Sequence, residues 1–237
     1  MKILAIDTST LVLGVAVLEE GSLLGEVTTN LRKNHSVRLM PTIARLLEEL
    51  ELKVEDLDGV AVAAGPGSYT GIRIGFTTAK TIAWSRQIPL VPVSSLAALA
   101  MNGYRFPGKV VPLFDARRHR VYTGLFRGDG RGLVPVKEER VTDFTKWLEE
   151  LRQEGPLLFL GEDVSAFREE TVQILGGQAE FGMGRENAVS ATHLGQLAWA
   201  RLQSGENVEG AEAVPNYLQL TEAEAKWIRS RERGEPR

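Results

Sequence analysis

Residues 65–75, Gly-Pro-Gly-Ser-Tyr-Thr-Gly-Ile-Arg-Ile-Gly, hold four glycines and one proline between an apolar run, Gly59 to Ala64, and a helix-like run, Thr70 to Arg86. A strand that turns through glycines into a helix restricts the chain to folds that layer helices on a sheet. Glycine supplies the backbone angles and close approaches that such a turn needs. The same turn aims backbone N–H groups beyond the strand end, so a phosphate cradle is its first chemical reading. A second reading concerns the helix. Gly71, Gly75, Ala79 and Ala83 lie four apart and form one smooth stripe. Glycine inside a helix costs about 1 kcal/mol relative to alanine, so two on one stripe imply close approach by another element. That element is either this protein's own sheet or neighbouring helix, or a helix of another chain. Arg73, Lys80 and Arg86 on the same run argue against a membrane role.

The rest of the chain reads as two similar halves. Lys2–Ile6, Leu13–Glu19 and Leu23–Asn30 read as strands, the last two joined by the turn signal Glu20-Gly21-Ser22. A helix from Ser36 to Leu50 follows, with Val37, Met40, Ile43, Ala44, Leu47 and Leu50 on its 3.6-residue period and Pro41 one turn in. Strand Val60–Ala64, helix Thr70–Arg86, strand Leu90–Val93 and a short helix capped by Ser94 complete the half. A boundary lies in Met101–Lys109, where Gly103, Pro107 and Gly108 fall. Strands Val110–Phe114, Val121–Phe126 and Leu133–Val141 then precede a helix Asp143–Gln153 capped by Thr142, a strand Leu157–Leu160 and a helix Val164–Leu175. Each half is therefore βββαβα. Ala191–Ser204 is a further amphipathic helix, and Lys226–Arg237 is a charged, frayed end. The expected division is a first lobe at 1–103, a smaller second lobe at 104–205, and a segment at 206–237 that packs back on the first lobe.

Composition narrows the function. With 237 residues and 43% hydrophobic residues the chain can bury real cores. Its net charge of −3 argues against a protein that binds nucleic acid by overall charge. It has no cysteine, which removes disulfides, thiol nucleophiles and cysteine-based zinc sites. Met1–Ile6 is too short for a secretory signal, and no apolar run approaches the roughly 18 residues of a membrane span. The expected location is the cytoplasm.

The turn after the first strand, Asp7-Thr8-Ser9-Thr10, has two readings. An acid followed by hydroxyl residues can hold a hydrated metal or a phosphate. The same residues can cap their own backbone in a hairpin. Gly65–Pro66–Gly67–Ser68 is not a nucleophile elbow, and no base is visible near Ser94 or Ser95, so there is no protease machinery.

The duplicated βββαβα order with this turn resembles the actin-like ATPase (ribonuclease H-like) superfamily. The motifs Ile6-Asp7-Thr8-Ser9, Gly65 to Gly75, Val93-Ser94-Ser95-Leu96, Phe114-Asp115-Ala116-Arg117 and Pro215-Asn216-Tyr217-Leu218 stand in the order and spacing of one bacterial family. The chain resembles the TsaB family, accessory subunits for threonylcarbamoyladenosine in tRNA. The resemblance runs over residues 1–125, with weaker support to Leu218.

That resemblance implies an α/β fold of two duplicated lobes and a non-catalytic role. An active superfamily member opens its second half with an acid and glycines, but here the turn reads Asp115-Ala116-Arg117-Arg118-His119, without glycine. The catalytic relative TsaD carries a His-x-x-x-His metal pair, where this chain has Ser95 and Leu99. His35, His119 and His193 are far apart in sequence, so no metal site is expected. The resemblance implies that TsaD is the heterodimer partner, with the ATPase TsaE in the complex and a homodimer when the chain is alone. It places ATP, magnesium and the catalytic metal on the partners and makes tRNA contact indirect, with a local, secondary contact through Arg117, Arg118 and Arg120 as the open alternative. It also implies docking through the Ser36–Leu50 and Thr70–Arg86 helices, with Leu39, Ile43, Gly71, Gly75 and Ala79 on the partner face. Asp7, Thr8, Ser9, Thr10 and Asp115 would be a vestigial nucleotide site. The alternative is an active small phosphotransferase or ATPase using Asp7 and Asp115.

Overall fold

The computed structural model describes residues 1–31, 34–130, 132–205, 213–216 and 218. The first half contains strands β1 (Lys2–Asp7), β2 (Val12–Glu19), β3 (Ser22–Asn30), β4 (Gly59–Gly65) and β5 (Leu90–Ser94), with helices α1 (His35–Glu49), α2 (Tyr69–Arg86) and α3 (Ser95–Ala100). The second contains β6 (Lys109–Asp115), β7 (Arg120–Gly128), β8 (Leu133–Asp143), β9 (Leu157–Leu160) and β10 (Ala179–Phe181), with α4 (Phe144–Leu151), α5 (Val164–Leu175) and α6 (Ala191–Gln203).

The two sheets have the orders β3-β2-β1-β4-β5 and β10-β9-β6-β7-β8. In both, the first strand pairs antiparallel with the second and parallel with the fourth. The duplication expected from element order is therefore present, and it extends one strand further, to β10. That strand is three residues long and only partly buried, which leaves too short a pattern to read in sequence.

Burial explains the layers. In β1, Leu4 and Ile6 join the cluster under α1 and α2, while Ile3 and Ala5 join the cluster under α3 and α6. A strand covered on both faces needs apolar residues at successive positions, as Ile3–Ile6 of β1 and the whole of β4 have. The second sheet is treated likewise. Phe144, Trp147, Leu148 and Leu151 of α4 pack on one face, and Val110, Phe114 and Phe126 join the central cluster on the other. The central cluster spans both sheets, so α3 and α6 form a shared middle layer. Each fully buried Leu, Ile or Phe in these layers contributes roughly 1.5–3 kcal/mol.

Two local expectations change. α4 is capped by Asp143, whose carboxylate accepts from Lys146 N–H, rather than by Thr142, which lies in β8. In α1 the inward stripe is Leu39, Ile43, Leu46 and Leu47, whereas Val37 and Met40 of the expected periodic set are 68% and 51% exposed. The helix carries two apolar stripes, and the leucine-rich one faces the sheet.

Of the C-terminal segment, Ala213 is buried in the cluster under α1 and α2, and Asn216 N–H donates to Ala64 O at 2.8 Å. Tyr217 and residues 219–237 lie outside the described residues. Among the described residues no helix is long and apolar enough to cross a membrane.

The N-terminus of α6 is held by a distant strand. Its N-cap Ser190 makes no side-chain capping bond. Glu26 of β3 instead accepts from Ala191 N–H at 3.1 Å, from the Ser190 and Thr192 hydroxyls at 3.2 and 2.9 Å, and from Arg185 at 2.6 Å. Burial pushes this carboxyl up, but the Thr192 hydroxyl and the Arg185 guanidinium outweigh it and hold it below its usual range. A depressed folded-state value means a contribution fully present above the unfolded value of about 4.3 and lost as pH falls through the folded value. Glu26→Gln is therefore expected to lower stability at neutral pH by about 2 kcal/mol. It should also flatten the acid limb of the curve, as measured by urea unfolding from neutral to acidic pH.

Candidate functional site

The glycine segment and the turn after β1 are packed against each other. A Cβ on Gly71 would lie 2.1 Å from Thr8 O, one on Gly67 would lie 2.3 Å from Ser9 O, and one on Gly75 would lie 2.3 Å from Thr8 Oγ1. No side chain fits at those distances. Gly67 also has φ of 155°, and Gly65 has φ of 107°, in the region that favours glycine. Thr8 Oγ1 donates to Gly71 O at 2.7 Å, and Ser68 N–H donates to Ser9 O at 2.7 Å. Ser68 Oγ then caps α2 by accepting from Gly71 N–H at 3.3 Å. The N–H groups of Ser68 and Gly71, which a phosphate cradle would offer, are engaged inside the protein. The engagement of these two groups counts against the cradle reading of residues 65–75.

Asp7, the residue before Thr8 at the end of β1, is fully buried. Its Oδ1 accepts from Ser9 N–H at 2.8 Å, and its Oδ2 has no partner among the described residues. Burial pushes its carboxyl up, against the opposing effects of the Ser9 bonds and nearby His35. Ser9 Oγ is also buried without a partner. Thr10 turns back on the chain: its Oγ1 accepts from Val12 N–H at 3.1 Å, and its carbonyl contacts His35 Nε2 at 2.8 Å. The hairpin reading of Asp7–Thr10 thus accounts for most of its bonds, leaving the Asp7 Oδ2 and Ser9 Oγ atoms over.

Asp115 occupies the equivalent position in the second lobe but is exposed. Its Oδ1 accepts from Arg117 N–H at 2.7 Å, and its own N–H donates to Asp163 Oδ2 at 3.0 Å. Asp7 and Asp115 share no described contact. The acid that does feel Asp7 is Glu162, in the turn between β9 and α5. Burial raises its carboxyl first, then the charges of Asp163 and Asp7, and its Oε1 is buried without a partner. Glu162 was not legible beforehand, because its only sequence signal is an acid after Gly161 at a strand end. Among the described residues no group of three or more His, Asp or Glu is placed to hold a metal ion.

Ser95 and Leu99 of α3 are both fully buried in the central layer. Beside them, Ser94 Oγ accepts from the N–H groups of Leu96 and Ala97 and donates to Glu139 of β8 at 2.5 Å. Burial raises the Glu139 carboxyl, with the Ser94 bond acting against it. This serine is a helix cap whose hydroxyl also ties α3 to the Glu139 carboxylate of β8.

The residues assigned to a partner face are corrected by their burial. Leu39, Ile43 and Ala79 are at most 1% exposed, and Gly71 and Gly75 are buried. The small-residue stripe serves close approach of α2 to the β1 turn of its own lobe. What the two helices turn outward is different: Val37, Met40, Pro41 and Ala44 on α1, spaced i, i+3, i+4, i+7, and Tyr69 and Trp84 on α2. Trp84 is 76% exposed and borders a groove lined by Lys80, Ala83, Arg86 and Ile88.

The comparisons place this arrangement among known proteins. Residues 22–227 match the family model described as TsaD, tRNA N6-adenosine threonylcarbamoyltransferase. A Bacillus subtilis protein named tRNA threonylcarbamoyladenosine biosynthesis protein TsaB is 45% identical over 231 residues, 97% of this chain and 99% of that protein. The solved structure of YeaZ from Pseudomonas aeruginosa superposes with a TM-score of 0.75 at 28% identity, covering 92% of this chain and 99% of that one. A ROK hexokinase from Thermus thermophilus shares the fold at a TM-score of 0.52 and 11% identity, covering 86% of this chain and 100% of that one.

The glycine contacts make a testable reversal. Alanine is the better helix former by about 1 kcal/mol, yet Gly75→Ala is expected to destabilise the chain by about 1–3 kcal/mol through overpacking against Thr8. Gly75→Arg, for the same reason, should not leave the lobe folded. Thermal melts of the two variants check both outcomes.

Proposed function

This chain belongs to the TsaB family, and from that premise we propose that it is a non-catalytic subunit that binds and stabilises TsaD. The complex, with the ATPase TsaE, would transfer a threonylcarbamoyl group from threonylcarbamoyl-AMP to the adenine beside the tRNA anticodon. The chain would pair with itself when TsaD is absent. It would work in the cytoplasm, and ATP, magnesium and the catalytic metal would sit on its partners.

One observation carries the partner role: the outward apolar stripe of α1 and the exposed Trp84 of α2, on two helices that cover the same face of the first sheet. Interface anchors are enriched in tryptophan and in large apolar side chains set in packed surroundings. The non-catalytic role is supported by Ser95 and Leu99, which offer no metal-binding pair, and by the internal engagement of the glycine turn. The rival reading, a phosphotransferase or ATPase using Asp7 and Asp115, keeps one observation in its favour, the unpartnered Asp7 Oδ2.

A Met40→Asp/Trp84→Glu variant tests the partner role, because both side chains are exposed and their replacement should spare the fold. We expect the folded variant to bind TsaD at least ten-fold more weakly, the loss typical of truncating interface anchors. Native-level TsaD binding by that variant would overturn the assignment of this face. Calorimetry of the isolated chain with Mg-ATP should give no binding heat; micromolar binding that vanishes in Asp7→Ala would favour the rival.

A further inference from the structure

Helix α2 carries positive charge without an acid of its own. Tyr69–Arg86 contains Arg73, Lys80 and Arg86 and neither aspartate nor glutamate, although the chain as a whole is net negative. Arg73, Lys80 and Trp84 follow one another at i, i+7 and i+11, so they lie along one face of the helix. Lys80, Trp84 and Arg86 also line one groove, together with Ala83 and Ile88. The tryptophan in that groove is exposed.

These cations are held in place but not neutralised. Arg73 Nη1 donates to the Tyr69 hydroxyl at 2.6 Å, with the guanidinium 5.2 Å from the centre of that ring. Lys80 Nζ donates to Ala213 O at 3.2 Å, and Arg86 Nη2 donates to Glu55 O at 3.0 Å. All of these acceptors are neutral. Among the described residues none of the three cations takes part in an ion pair. Acids do stand on the elements packed beside α2, which are α1 and the short 3-10 turn Val54–Asp56. Asp56 accepts from Lys53 N–H at 2.7 Å, and the following Asp58 accepts from Lys2 N–H at 2.7 Å. Glu48, Glu49 and Glu55 are exposed and lie outside the described ion pairs.

A partner that covers Trp84 covers these cations as well. Lys80 and Arg86 are half-buried, and their bonds to backbone carbonyls keep the charged ends at the groove. Taking a cation out of water without a counter-charge is costly, and a carboxylate on the facing surface offsets that cost. We propose that α2 takes an acidic protein surface, whose carboxylates settle on Arg73, Lys80 and Arg86 around an apolar side chain in the Trp84 groove. The proposal rests on the reading that α1 and α2 dock TsaD. It adds the chemistry of the docked surface and divides the work between the two helices. The cations of α2 steer the encounter, and the apolar stripe of α1 and Trp84 hold the complex once formed.

The test measures association and dissociation rates of the full chain with TsaD across a range of salt. The native association rate should fall as salt rises. Arg73→Gln/Lys80→Gln keeps a donor for Ala213 O, and its thermal melt shows that it is folded. It should associate several-fold more slowly at low salt, with a flatter salt dependence. Lys80→Arg should keep the native salt dependence. Met40→Ala/Trp84→Ala should instead speed dissociation and leave the salt dependence of association as it is. Native rates and native salt dependence in the glutamine variant overturn the acidic-partner proposal, while faster dissociation of the alanine variant leaves the docking reading standing. Failure of the native chain to associate with TsaD overturns both. A change confined to self-association of the chain would assign the cations to a second copy. Loss of tRNA binding by the assembled complex, with unchanged TsaD rates, would assign them to RNA. Either of these results also overturns the proposal.

Discussion

The first lobe depends on the approach of two backbones. Thr8 and Ser9, leaving β1, sit against the first turns of α2 at a distance that only hydrogen atoms on Gly67, Gly71 and Gly75 allow. This contact sets how closely α2 lies on the sheet, and so sets the depth of the layer that Phe76, Ala79 and Ile82 fill with Leu4, Ile6 and Val62. It also decides the chemistry. A glycine turn that leaves its N–H groups open can take an anion; one whose carbonyl and N–H groups meet a neighbouring turn is closed to it. The specific motif of the chain is thus a packing device, and its surface value lies in the helix it positions.

The two lobes show how a duplicated frame diverges. Their sheets follow the same order and sense, yet the equivalent acids have opposite settings. Asp7 is fully buried, and Asp115 stands exposed beside a turn of left-handed residues. The first acid is closed off by packing, and the turn after the second carries arginines where the first lobe has hydroxyl residues.

Much of this was legible in sequence, and the misses have physical causes. Strands such as β1 and β4 have uninterrupted apolar centres, and α2 follows directly on a glycine-rich turn, so their placement followed from pattern. The inner and outer stripes of α1 were confused because both are apolar at helical spacing. Only the sheet beneath decides which is buried, and Leu39 and Leu46 reach it while Val37 and Met40 do not. For the same reason, small residues on α2 could not be assigned to self or partner from spacing. The Glu26 cap on α6 and the approach of Glu162 to Asp7 join residues more than a hundred positions apart, and no local pattern encodes them.

The shared middle layer has a mechanical consequence. Two-lobed proteins that close on a ligand need a hinge, a few residues about which two separate cores can rotate. Here α3 and α6 belong to one cluster with side chains from both sheets, and the entry to α6 is clamped to β3 by Glu26 and Arg185. Rotating one lobe on the other would open a close-packed interior. A shared interior of this kind resists relative rotation of the two sheets, so whatever docks on the outer helices α1 and α2 meets a surface held from behind by both lobes.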